Sequence, residues 1–87
     1  MFIHPRLLKA ARQVLDISQN DLAKAAGISE RSIRKLESFD SDTTVRTIEA
    51  VQRALEDCGV IFLGEDPLFG SGFRLPPGYF RKTKDGN

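Results

Sequence analysis

The chain predicts a mainly α domain of four or five helices followed by a short C-terminal β-hairpin, on three observations. Apolar residues recur at three- and four-residue spacing from Leu7 to Cys58, the period of helices with one buried face. Serines and glycines punctuate that pattern where helices start and stop. Beyond Gly59 the period changes: Val60–Leu63 and Gly72–Leu75 are short β-branched and aromatic runs with a Gly- and Pro-containing stretch between them.

Each element has its own justification. Leu7, Leu8, Ala11, Val14 and Leu15 line one face of a first helix over residues 5 to 15, and Pro5 suits its first turn, where a missing N–H is harmless. Ser18 and Asp21 have the spacing of a capping box, opening a second helix that runs to Ala26 and stops at Gly27. Ser29 can cap a third helix, which turns Ile33 and Leu36 inward and ends near Ser38. A turn follows at Phe39–Asp42, and Asp42 or Ser41 is the expected cap of a fourth helix carrying Val45, Ile48, Val51, Leu55 and Cys58 as its inward stripe. The two extended runs then pair as a hairpin, which Pro76-Pro77 stops. The expected organisation is therefore a helical domain over 1–58, a hairpin extension over 59–76 and a flexible basic tail over 77–87.

Composition narrows the function. Eighty-seven residues form one domain with a small core, so pairing with a second copy is expected to add stability. No apolar run is long enough to span a membrane, and the N-terminus lacks the apolar stretch of a secretory signal. The single cysteine, Cys58, fits a reducing compartment, and a cytoplasmic location is expected. His4 stands without Cys or His neighbours at ligand spacing, so no metal or other cofactor is expected. No nucleophile–base pair or glycine-rich phosphate cradle is present either, and catalysis is not expected. The formal net charge of +1 hides an uneven distribution: residues 1–38 and 67–87 are net basic, and 39–66 are net acidic. That permits a basic face, which a nucleic-acid partner would need.

The informative segment is QNDLAKAAGISERSIRKLES, residues 19 to 38. Two short helices meeting steeply need a small residue where their backbones approach, which Ala23 supplies, and a residue tolerant of positive φ between them, which Gly27 supplies. Leu22, Ile28, Ile33 and Leu36 provide the aliphatic inner side, leaving the outer face of the second helix polar. The segment therefore has the requirements of a helix-turn-helix, whose second helix enters the major groove of DNA.

On the ordered set Gln19, Leu22, Ala23, Gly27, Ile28, Ser32, Ile33, Leu36 and Glu37, the chain resembles the Xre family, the phage repressor and Cro-like helix-turn-helix regulators, over residues 6 to 58. The extension GVIFLGEDPLFGSGFRL is similar to that of short Xre-like regulators ending in a β-hairpin. The resemblance implies a repressor-like fold and a homodimer on double-stranded DNA at an inverted repeat. It also implies pairing of Arg12 with Glu37, which orients the motif rather than reading DNA. Many members carry a glycine soon after the motif and a proline before the next helix; here the stretch is Ser38-Phe39-Asp40-Ser41-Asp42-Thr43.

The candidate DNA-binding residues are Gln19, Ser29, Glu30, Arg31, Ser32, Arg34, Lys35 and Ser38. Arg31 is the first choice for reading a base, because its planar fork can bond guanine O6 and N7 together. Lys35 and Arg34 come next, and Arg34 could reach a phosphate instead. Glu30 could accept from cytosine N4 or hold Arg31 or Arg34. Gln19, at a helix N-terminus, suits a phosphate; Ser29 and Ser38 are weaker phosphate candidates, and Ser29 can serve as a plain cap. A hairpin with apolar residues on both faces needs cover, so Val60, Ile61, Phe62, Leu63, Phe73 and Leu75 are the expected dimer interface. Two other readings compete: an antitoxin or mobile-element regulator acting with a protein partner, and a protein-interaction module that keeps the motif only as scaffold.

Overall fold

The computed structural model describes residues 2–39 and 42–81. Its helices are α1 (Pro5–Val14), α2 (Gln19–Ala26), α3 (Glu30–Glu37) and α4 (Val45–Asp57), followed by an antiparallel hairpin of β1 (Ile61–Leu63) and β2 (Gly72–Arg74).

Side-chain caps set where each helix begins. The Ser18 hydroxyl accepts from the Asp21 amide at 2.9 Å, and the Ser29 hydroxyl from the Ser32 amide at 3.1 Å, each satisfying an otherwise orphaned donor. At α1 the cap is His4, whose Nδ1 accepts from the Arg6 amide at 3.1 Å. Gly27 ends α2 at φ 73, the left-handed conformation its missing side chain permits.

The start of α4 differs from expectation. Its cap is Thr44, which accepts from the Thr47 amide at 3.2 Å, rather than Asp42; Ser41 lies outside the described residues. Phe39 turns out of α3 at φ 61. That conformation is costly for a bulky side chain. The Arg6 guanidinium lies 4.9 Å from the Phe39 ring centroid, a cation–π contact.

The core takes Leu8 and Ala11 from α1, Leu22 and Ala23 from α2, Ile33 and Leu36 from α3, and Ile48, Val51, Ala54 and Leu55 from α4. Ile3 closes it on one side and Val60 with Phe62 on another. The buried stripe of α4 is shorter than expected, because Val45 and Cys58 are exposed. The helix ends at Asp57, and the Cys58 amide donates to the Leu55 carbonyl at 3.0 Å. That tighter final turn rotates Cys58 off the α4 stripe.

In the hairpin, Ile61 opposes Arg74, Phe62 opposes Phe73 and Leu63 opposes Gly72. Opposed residues share a face. Phe62 and Phe73 therefore form the inner face, ring edge to ring at 6.1 Å, while Ile61, Leu63 and Arg74 form the outer one. The six residues expected at a dimer interface divide between these faces. Val60 and Phe62 are buried in the chain's own core, and Phe73 and Leu75 pack half-buried against it. Only Ile61 and Leu63 of the six are exposed.

The base of the hairpin is closed by Gly59 at φ 98, where an added Cβ would lie 3.0 Å from Pro76. Residues 77–81, the start of the expected tail, form turns, and the Tyr79 hydroxyl donates to the Leu15 carbonyl at 3.3 Å. Residues 82–87 of that tail lie outside the described residues.

Candidate nucleic-acid interface

Helix α3 carries two stripes. Ile33, Leu36 and Glu37 are buried, while Arg31, Arg34, Lys35 and Ser38 follow one another on the opposite side at helical spacing. The second stripe forms one wall of an open groove, and Lys9, Arg12 and Gln19 complete it from α1 and the start of α2. Five of the eight expected DNA-binding residues (Gln19, Arg31, Arg34, Lys35 and Ser38) thus come together. Ser29, Glu30 and Ser32 lie apart, at the N-terminal turn of α3.

The groove is basic because its one acid is already matched. Glu37, 4% exposed, accepts from Arg12 Nε at 2.6 Å and from Nη2 at 3.0 Å. Arg12 also donates from Nη1 to the Ile17 carbonyl at 2.7 Å, and Gln19 Nε2 donates to Glu37 Oε1 at 3.0 Å. One bidentate pair thereby ties α1, the turn after it, α2 and α3 together, which fixes the angle at which α3 is presented. The expected Arg12–Glu37 pairing is present in this form. Gln19 is part of the same network, a tie that its position alone did not suggest.

The other α3 side chains divide by what already holds them. Glu30 accepts from Arg34 Nη1 at 2.9 Å and from Asn20 Nδ2 at 3.1 Å, so both carboxylate oxygens are engaged. The Ser29 and Ser32 hydroxyls bond each other at 3.0 Å, and the Ser29 hydroxyl also caps the helix. The Ser38 hydroxyl donates to the Lys35 carbonyl at 3.1 Å. Lys35 Nζ lies 3.9 Å from Asp42, a distance that leaves it loosely held. Arg31 is exposed and makes no hydrogen bond or ion pair to the described residues, so its guanidinium is available to a ligand.

Lys9 lines the groove but is not among the residues expected to bind DNA. The available signal was its spacing, one turn before Arg12 on the same side of α1. Beside this groove is a smaller depression lined by Ser32, Lys35, Asp42, Thr43, Thr44 and Thr47, where the Thr43 hydroxyl is buried without a hydrogen-bond partner among the described residues. No group of three or more His, Cys, Asp or Glu that could hold a metal occurs among the described residues. Nor is any of their helices long and apolar enough to cross a membrane.

Two capped helices joined at a left-handed glycine, the second aligning a polar basic stripe along an open groove, define a DNA-binding transcriptional regulator of the helix-turn-helix class. The profile of the helix-turn-helix family matches residues 8–61, more than half of the 87-residue chain. The chain belongs to this family, in its Xre/Cro-like form, which is a family of DNA-binding rather than enzymatic domains. No curated protein sequence matches it significantly.

Proposed function

We propose that the protein is a cytoplasmic repressor that binds an inverted-repeat operator as a homodimer. The observation that carries this reading is the unbroken stripe Arg31, Arg34, Lys35, Ser38 on the exposed side of α3, facing a groove with Lys9 and Gln19 on its far wall. Phosphate contacts set register and base contacts set sequence. Arg31, without a hydrogen-bond or ion-pair partner among the described residues, reads a guanine edge, and Lys35 reads beside it. Arg34, held by Glu30, reaches a phosphate, and Lys9, Gln19 and Ser38 take others. Glu30 acts as the positioning group for Arg34 rather than as a base reader. The Ser29 hydroxyl acts as the cap and is bonded to the Ser32 hydroxyl, leaving the N-terminal turn of α3 free to approach the DNA. A dimer bound across a promoter excludes polymerase.

Selection of bound duplexes from a random library, followed by footprinting, tests this reading. The expected product is a two-fold symmetric site with half-site centres roughly 34 Å apart, one turn of DNA. A single unsymmetrical half-site would sink the homodimer. Adding the protein to a promoter that overlaps the selected site is expected to lower transcription in vitro, and a rise would overturn repression.

A further inference from the structure

The loop joining β1 to β2 holds two large apolar side chains in water. Leu68 is 83% exposed and Phe69 71%. Their exposure is built rather than loose. The Asp66 carboxylate accepts from the Leu68 amide at 2.8 Å and from the Phe69 amide at 2.7 Å, and the Asp66 amide donates to the Phe69 carbonyl at 2.9 Å. A tip fixed in this way gives up little conformational freedom when it docks.

At the opposite end of the same extension lies an open groove lined by Phe73, Leu75, Pro76, Pro77, Tyr79 and Phe80. Tyr79 and Phe80 meet edge to face at 5.2 Å, and the two prolines offer no N–H, so the groove suits apolar side chains rather than an added strand. Charge is divided the same way. Glu65 and Asp66 are exposed at the tip, whereas Arg74 and Arg81 are exposed at the groove.

The geometry points to reciprocal docking between two copies of this chain, each placing Leu68 and Phe69 in the other's groove. The inference rests on the homodimer reading above and names its surface. A two-fold interface requires one patch to carry both complementary halves, and this extension does, apolar knob and acid at one end, apolar groove and base at the other. Antiparallel alignment of two such extensions makes both contacts at once. Burial of a leucine and a phenylalanine in each of two grooves removes on the order of 1,000 Å² from water, enough for a specific dimer.

The test is sedimentation of the full-length protein at micromolar concentration, with circular dichroism to confirm folding. A tip variant, Leu68→Asp with Phe69→Asp, and a groove variant, Phe80→Asp, should each self-associate at least about 100-fold more weakly than the wild type. Mixed one to one, they should recover part of the association, because a mixed pair keeps one intact tip facing one intact groove. Should Phe80→Asp not fold, Arg74→Glu with Arg81→Glu replaces it, and adding Glu65→Arg should restore the pairing. A tip variant that remains as dimeric as the wild type overturns this surface and leaves the homodimer standing. A wild-type chain that is monomeric at that concentration overturns both.

Discussion

Glu37→Ala is expected to destabilise the fold by about 3 kcal/mol, the cost of leaving a largely buried charge without its partner. The buried carboxylate is the acceptor for Arg12 and Gln19, and Arg12 is itself only 13% exposed. Domains of this size have total stabilities of roughly 5–10 kcal/mol, so the loss is a large fraction of the whole and lowers Tm by about 15 °C. Arg12→Ala should be comparably harmful. The double variant should lose clearly less than the sum of the two, because it strands neither charge. Urea melts of the four proteins measure this directly. Additive losses would show that the 2.6 Å contact contributes no coupling energy. Since the pair also fixes the angle of α3, Glu37→Ala should weaken operator binding even at temperatures where the protein remains folded.

Arg31→Ala is expected to lower affinity for the selected operator by about 10- to 100-fold while changing affinity for random duplex much less. The reason is that its guanidinium has no hydrogen-bond or ion-pair partner among the described residues, so the effect falls on the ligand. Melting should be unchanged. Lys9→Ala serves as the contrast, weakening every duplex alike and reducing the salt dependence by about one phosphate contact. If Arg31→Ala keeps the wild-type ratio of operator to random binding, Arg31 does not read a base.

Local chemistry made much of this fold legible before the structure. Ser18, Gly27 and Ser29 act within three residues of themselves, and their roles as caps and stop are the ones observed. Leu22, Ile33 and Leu36 follow from periodicity alone. Choices between near-equivalents were not legible. Three hydroxyls and an acid crowd Ser41 to Thr44, and nothing in the local sequence singles out Thr44, the cap observed. His4 was overlooked because histidine is not among the usual cap residues, yet Nδ1 of a neutral imidazole can accept as Ser or Asp would. In the hairpin, alternation separates two faces but does not say which one the body will cover. Packing decided that in favour of Val60 and Phe62. In the site, the α3 stripe was readable from spacing, whereas Lys9 and the Gln19–Glu37 bond need α1 and α2 in place.

The bond from Tyr79 to the Leu15 carbonyl joins groups 64 residues apart in the chain, whereas the helices are built from local turns. Its consequence lies in the order of events during folding. Closing so wide a loop spends entropy before the contact returns anything, so helices should assemble first and this tie should form on the native side of the barrier. Tyr79→Phe should therefore speed unfolding and leave the refolding rate nearly unchanged, as read from the two limbs of a chevron plot. A slowed refolding limb would instead place the tie in the nucleus. On this account α3 is complete before Tyr79 and Leu15 have met, and the Tyr79 tie acts as a late latch, governing how long the native state lasts more than how quickly it is reached.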